Sequence, residues 1–176
     1  MCGIIAYTGS QQAVPVILDG LKRLEYRGYD SAGIAYPDNG SLEVIKSPGK
    51  LHLLEQRLSA LPSEAVTGIG HTRWATHGAP NEQNAHPHTD THNKISLVHN
   101  GIIENHDSLR EWLRASGHIF RSETDTEVLV HLVAEHAAHE ASLSRALSRA
   151  LAQVEGSFAV ALISSDHPGC IWAARR

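Results

Sequence analysis

The chain opens with Met1-Cys-Gly-Ile-Ile-Ala-Tyr-Thr8 and turns at Gly9-Ser10. The apolar run from Ile4 to Thr8 predicts a short buried strand. Apolar residues then recur from Val14 to Leu24 with the i, i+3, i+4, i+7 spacing of an amphipathic helix, which we expect to pack on a sheet. These patterns place a cysteine at the tip of a buried strand.

The remaining patterns predict one mixed α and β domain spanning residues 1–176. A hairpin is predicted from strands 33–36 and 42–46, because the Asn39-Gly40 pair between them favours a tight turn. Further strands are predicted at 66–73, 95–99, 157–164 and 170–174, and helices at 51–61, 109–113, 128–133 and 143–154. The segment between 73 and 95 is long and polar, which is typical of functional connections.

Composition and charge exclude several classes of protein. The chain has 176 residues, of which 41% are hydrophobic and 19% charged, so we expect a globular domain with a sizeable core. The net charge of -4 comes from interspersed signs, which argues against nucleic acid or an anionic membrane as partner. The apolar stretch 158–163 is far shorter than the roughly 20 residues of a membrane helix.

Cysteine usage and the first residues indicate a cytoplasmic protein. Two cysteines, Cys2 and Cys170, do not form a disulfide framework. The first residues lack the basic segment of a signal peptide. Cys170 lies in the last predicted strand, where we expect a buried and inert thiol.

The position of Cys2 permits a specific chemistry. Removal of Met1 would leave a thiol and a free α-amine on one residue. Since an α-amine has a pKa of about 7.7–8.0 and a thiol one of about 8.5, the amine is nearly matched to act as the base for its own thiol. A small residue at a frayed terminus is the alternative interpretation, and position alone leaves both open.

The Asn100-Gly101 pair follows the predicted strand 95–99 and offers hydrogen-bond donors for an acyl-transfer reaction. Each donor to the developing oxyanion typically lowers the barrier by about 2.7–4 kcal/mol. The Asn side chain and the Gly backbone N–H are such donors, and glycine lets the main chain approach a ligand. The same dipeptide is common in hairpin turns, and its spacing alone favours a turn.

Six segments in this order resemble the class II glutamine amidotransferases, in the branch that aminates a sugar phosphate. They are Cys2-Gly-Ile-Ile5, Arg23-Leu-Glu-Tyr-Arg-Gly-Tyr-Asp-Ser-Ala-Gly33, His71-Thr-Arg-Trp-Ala-Thr-His-Gly78, Asn84-Ala-His-Pro-His88, His99-Asn-Gly-Ile-Ile-Glu-Asn105 and Ser122-Glu-Thr-Asp-Thr-Glu127. Six ordered motifs are much harder to meet by chance than one. The resemblance implies an α/β (α+β) fold of the N-terminal-nucleophile hydrolase type, a four-layer αββα sandwich of two antiparallel sheets.

The resemblance also implies a reaction, the hydrolysis of the L-glutamine side-chain amide to glutamate and ammonia through a Cys2 thioester. Position by position, Cys2 matches the nucleophile, and Asn100 with Gly101 matches the oxyanion hole. Arg27 matches an arginine beside the nucleophile, with a structural ion pair as the alternative role.

Further positions match the residues that bind glutamine. Arg73 matches the residue that binds the α-carboxylate, and Asp125 the one that binds the α-ammonium, in keeping with their charges. Trp74, Thr76 and His77 match a segment that folds over the substrate and excludes water. A simple core position is the alternative for Trp74.

The 13 histidines suggest a competing interpretation, a metal-dependent hydrolase or metal-binding module, because imidazole is a common metal ligand. The candidates are His86, His88, His92 and His99. Their spacing fits no closed pattern such as His-Glu-x-x-His, and Pro87 prevents a shared helical face. We therefore expect His86 and His88 to brace a long loop, and we expect no metal and no cofactor.

The resemblance implies a longer protein with a separate sugar-phosphate (isomerase) domain. It also implies that the glutaminase domain continues into further strands after Ala173-Ala-Arg-Arg176. A catalytically inactive fragment that binds glutamine or a partner is the alternative. The residues do not indicate an oligomeric state.

Overall fold

Four antiparallel strands form the first sheet of the computed structural model, which describes residues 2–27, 30–61, 63–74 and 79–176. They are β1 (Gly3–Thr8), β2 (Ser31–Asp38), β3 (Ser41–Pro48) and β4 (Thr67–Arg73). Their spatial order is β1-β4-β2-β3. The predicted hairpin is confirmed: β2 and β3 pair along their length, and Asn39 and Gly40 both take positive φ, 45° and 82°.

The second sheet contains β5 (His88–Thr89), β6 (Ile95–Gly101), β7 (Phe158–Ser164) and β8 (Trp172–Arg175). These strands are also antiparallel and lie in the order β5-β6-β7-β8. β6 continues two residues past the predicted range, since its pairing with β7 extends to Asn100 and Gly101. The hairpin-turn interpretation of this dipeptide is therefore wrong.

Five α-helices are present in the described residues. They are α1 (Ala13–Leu24), α2 (Leu51–Ser59), α3 (His106–Ala115), α4 (Asp125–Ala137) and α5 (Leu143–Gln153). α1 buries Ala13, Ile17 and Leu21 at the predicted helical spacing. Within the described ranges, no helix combines the length and apolar character needed to cross a bilayer.

Three apolar clusters lie between the layers of the fold and hold neighbouring layers together. One lies between the first sheet and α1 with α2, and another lies between the second sheet and α3, α4 and α5. The middle cluster joins the inner faces of the two sheets and comprises Ala35, Leu42, Ile69, Val98, Ala161 and Ile163. The order helix, sheet, sheet, helix confirms the predicted αββα sandwich.

Three features of the structure were not predicted from the sequence. Cys170 is exposed, because the turn after β7 runs on to it and β8 begins only at Trp172, so the expected burial of this thiol is wrong. In the helix predicted at 109–113, Trp112 is 44% exposed, while Leu113 provides the buried contact. The strand β5 was not predicted, since two residues are too few to show a period.

Gly33 in β2 lies so close to the long polar segment between residues 73 and 95 that no side chain fits at this position. A Cβ at this position would overlap the backbone oxygen of His86. We expect Gly33→Ala to lower the free energy of unfolding by about 1–3 kcal/mol, measured by urea denaturation, because two backbone segments must separate.

Gly169→Ala is the matched control, since a Cβ there meets nothing within 4 Å. It should change the free energy of unfolding by no more than about 0.5 kcal/mol. Equal stability of the two variants would contradict the close approach of β2 and the His86 backbone.

Candidate active site

Cys2 lies where β1 and β4 meet at the edge of the first sheet. Gly3 pairs with Thr72, which brings the preceding cysteine beside the residues that end β4. The backbone N–H of Trp74 donates to Cys2 Sγ at 3.3 Å, and Sγ lies 3.6 Å from the Trp74 carbonyl oxygen. Antiparallel pairing thus places the thiol against the segment that follows β4.

Asn100 approaches Cys2 from the second sheet. Its Nδ2 donates to the backbone oxygen of Cys2 at 3.3 Å, and its Oδ1 lies 2.9 Å from Nε2 of His71. Burial lowers the pKa of His71 to about 4, so the ring is neutral, and the tautomer that matches the amide oxygen carries its proton on Nε2 and donates to Oδ1. A flipped amide would set two donors against each other, so His71 holds the NH2 group of Asn100 towards Cys2.

Gly101 ends β6 beside Asn100 and has a structural reason to be glycine. Its φ is +133°, a conformation that other residues rarely adopt. A Cβ there would also overlap the backbone oxygen of Ser157. The absence of a side chain keeps the backbone at this end of β6 open.

A small cavity of about 40 Å³ connects these groups with two opposite charges. Arg73 lines it from the end of β4 and is only 4% exposed, and its Nη1 donates to the Ala79 carbonyl oxygen at 3.4 Å. Asp125 lines it from the first residue of α4, and its Oδ2 accepts the N–H of Ile103 at 2.9 Å. The partial positive charge of a helix N-terminus favours a carboxylate at this position.

Buried histidines support the residues on both sides of Asp125. The Thr126 hydroxyl forms hydrogen bonds with His86 Nε2 at 2.8 Å and with His99 Nδ1 at 2.9 Å. The Thr124 hydroxyl bonds His88 Nε2 at 3.0 Å. Burial lowers the pKa of all three rings, which therefore act as neutral braces. The expected bracing role of His86 and His88 is confirmed.

The same rings bear on the metal interpretation. Within the described ranges, no three His, Cys, Asp or Glu side chains are grouped so that they could hold a metal ion. His86 and His88 each direct one ring nitrogen at a threonine hydroxyl instead.

Most of the predicted site residues border one cavity. Its lining includes Cys2, Arg73, Trp74, Asn100, Gly101 and Asp125. The indole of Trp74 is 49% exposed, so the alternative that this residue belongs to the core is wrong. Thr76, His77 and the side chain of Arg27 lie outside the described residues.

Sequence reasoning assigned no role to His71, although this residue begins one of the six motifs. Its contact partner Asn100 is 29 residues away along the chain and lies in the other sheet. The motif marked the segment as functional, but only the stacking of the sheets pairs the two side chains.

Comparison with known proteins defines the class. Residues 71–176 match the family model described as a glutamine amidotransferase domain. The chain belongs to this family, since the match covers more than half of its residues.

The curated relatives sharpen this assignment. The chain is similar to the glutamine–fructose-6-phosphate aminotransferase (isomerizing) of Symbiobacterium thermophilum, with 51% identity over 175 residues, 99% of this chain and 28% of that protein. The enzyme of the same name from Thermus thermophilus is 54% identical over 167 residues, 95% of this chain and 27% of that protein. The chain therefore spans little more than a quarter of the length of these relatives.

A solved structure supports the fold. Glutamine phosphoribosylpyrophosphate amidotransferase from B. subtilis, complexed with ADP and GMP, is 28% identical to the chain with a TM-score of 0.78. The match covers 94% of this chain and 35% of that one. The likeness extends across both sheets and their helices.

The buried histidines make stability depend on pH. His71 has a folded pKa of about 4 against an ordinary value near 6.5, so the unfolded chain binds more protons between these values. This part of the stability is present above pH 6.5 and is lost as the pH falls towards 4. We expect the free energy of unfolding in urea to fall by about 2 kcal/mol from His71 alone between pH 7 and pH 5.

In His71→Gln, the free energy of unfolding should change less with pH. In His52→Gln, at an exposed position of α2, it should change with pH as in the original protein. Equal stability of the original protein at pH 7 and pH 5 would contradict the burial of neutral rings.

Proposed function

We propose that Cys2, freed by removal of Met1, hydrolyses the side-chain amide of L-glutamine to glutamate and ammonia. One observation carries this assignment: a thiol, an oriented amide donor and two opposite charges border a single cavity. The charges suit the zwitterionic end of an amino acid, and the thiol with the amide donor suits acyl transfer at its other end.

The reaction begins at the thiol. The α-amine of Cys2 takes the thiol proton, directly or through a water, and Sγ attacks the amide carbon of glutamine. Asn100 donates to the resulting oxyanion with an amide hydrogen, because its NH2 group carries two and only one is directed to the Cys2 carbonyl oxygen. The backbone N–H of Gly101 is the proposed second donor.

The tetrahedral intermediate then collapses. Its C–N bond breaks, the protonated α-amine gives its proton to the leaving nitrogen, and ammonia departs from a Cys2 thioester. Water attacks the thioester with the α-amine as base again, and glutamate is released with the free thiol. No other electron donor or acceptor is required.

Substrate binding uses the two charged residues. The Arg73 guanidinium binds the α-carboxylate in bidentate fashion, and Asp125 binds the α-ammonium. The cavity of about 40 Å³ is smaller than glutamine, and Trp74, which lines it, matches the segment that covers the substrate in the resembling family. We assign Thr76 and His77 to the same cover and Arg27 to the vicinity of the nucleophile, on the resemblance alone.

The names of the relatives suggest where the ammonia goes. They include fructose 6-phosphate and an isomerizing activity, and this chain spans only 28% of one such protein and 27% of another. We propose that a separate sugar-phosphate isomerase domain receives the ammonia in a longer protein. Both cysteines, Cys2 and Cys170, are free thiols, and the reaction requires that of Cys2; this supports a reducing, cytoplasmic location.

Cys2→Ala tests the nucleophile. We expect glutamate formation from glutamine to fall more than about 10³-fold, since no other thiol borders the cavity, while intact mass confirms loss of Met1 in the active protein. Cys170→Ala is the matched control, because this thiol is exposed outside the cavity, and it should keep full activity.

Two further results bear on the same assay. An electrophilic glutamine analogue should alkylate Cys2 and leave Cys170 unmodified. Addition of fructose 6-phosphate to the 176-residue chain should yield no aminated sugar. A Cys2→Ala protein as active as the original would overturn the assignment.

Arg73→Gln and Asp125→Asn test the binding of the amino acid end. Each variant loses a charge-assisted hydrogen bond worth about 1.5–3 kcal/mol, so we expect the KM for glutamine to rise by roughly 10- to 150-fold with a smaller change in kcat. Steady-state kinetics measure the changes in KM and kcat separately.

Arg145→Gln removes an exposed arginine of α5 that pairs with Glu140 and does not line the cavity, and it should change neither constant. An unchanged KM in both cavity variants would show that glutamine is bound elsewhere.

A further inference from the structure

A second cavity, of about 600 Å³, lies along the outer edges of the two sheets. Its lining comes from β3, from the residues around β5 and from the segment that leads into α4. None of its lining residues borders the Cys2 cavity. A volume of this size accommodates a small metabolite.

Most carboxylates of this cavity are already bonded within the protein. Glu127 accepts the backbone N–H groups of Arg121 and Ser122 at 2.8 and 2.6 Å, and the Ser122 hydroxyl at 2.7 Å. Asp90 accepts three backbone N–H groups of the turn that follows it. Glu82 pairs with an arginine of α2 at 2.9 Å. Of the acidic side chains in the lining, Glu43 alone has no such bond, and it is exposed.

Lys46 stands out among the lining residues because its ammonium is partly buried and lacks a close partner. No hydrogen bond or ion pair reaches its Nζ from the described part of the chain, whereas Lys22 and Lys94 form ion pairs at 2.7 and 3.1 Å. Burial lowers the pKa of Lys46 to about 8, although the charges of Glu127 and Glu82 oppose this lowering, and the Arg121 charge adds a smaller lowering. A useful fraction of this amine is therefore uncharged near neutral pH.

We propose that Lys46 is a site of acylation by small acyl phosphates, which bind in this cavity with their phosphate on the Arg121 guanidinium. The uncharged amine attacks the acyl carbon, the bond from that carbon to the phosphate oxygen breaks, and phosphate leaves with the electron pair. The amine proton passes to water, and an uncharged amide replaces the ammonium. Acylation thus removes a partly buried charge whose Nζ has no hydrogen bond or ion pair in the described part of the chain.

The expected selectivity follows from the amine chemistry. At pH 7 a lysine with a pKa of about 8 carries about 300-fold more uncharged amine than one at the ordinary value of 10.5. A less basic amine is also a weaker nucleophile, which offsets part of this gain. We expect a net advantage of about tenfold or more over an exposed lysine.

Acetyl phosphate is the probe, and the chain provides its own controls. Its lysines are Lys22, Lys46, Lys50 and Lys94, and Lys50 is exposed. After timed exposure of the folded protein at pH 7, peptide mass spectrometry should find Lys46 acetylated about tenfold faster than Lys50 or more. The Lys46 rate should level off above about pH 8.

The phosphate contact has its own test. Arg121→Gln and added inorganic phosphate should each slow acetylation of Lys46 several-fold without changing the rate at Lys50. Acetylation of Lys46 at or below the rate of Lys50 would overturn the proposal. An unchanged Lys46 rate in Arg121→Gln would overturn the assignment of the phosphate to this arginine.

Discussion

The hydrogen bond from His71 Nε2–H to Asn100 Oδ1 joins the two sheets at the end where Cys2 lies. His71 belongs to β4 and Asn100 to β6, so the bond forms only when the inner faces of the sheets are stacked. The neutral tautomer with its proton on Nε2 donates to Oδ1, and this fits the orientation in which the Asn100 NH2 group faces Cys2. The proposed oxyanion donor therefore depends on the packing of the whole sandwich.

Neutral histidines perform a second supporting task. His86 and His88 belong to the polar connection, and their bonds to Thr126 and Thr124 hold the two residues that flank Asp125. These buried rings cost stability when they are protonated, which ties the geometry of the binding site to pH. The wall around Asp125 is thus held by hydrogen bonds to buried rings, whereas Trp74, on the other side of the cavity, is half exposed.

The segment from Arg121 to Glu127 links the two cavities. Its first and last residues line the Lys46 cavity, and Thr124 to Thr126 line the Cys2 cavity. Glu127 orders this segment by binding the backbone of Arg121 and Ser122. Its carboxylate, whose pKa is lowered by hydrogen bonds from His131 and Ser122 despite burial, also acts on the Lys46 charge.

The sequence by itself determined the elements and the chemistry of the site. Helical spacing located α1 and α5, the Asn39-Gly40 pair located the hairpin, and the ordered motifs marked Cys2 and Asn100, because these signals are local. It did not locate β5, the exposure of Cys170 or the role of His71. Tertiary structure decided these features, since burial and the contact of His71 with Asn100 depend on how two sheets stack.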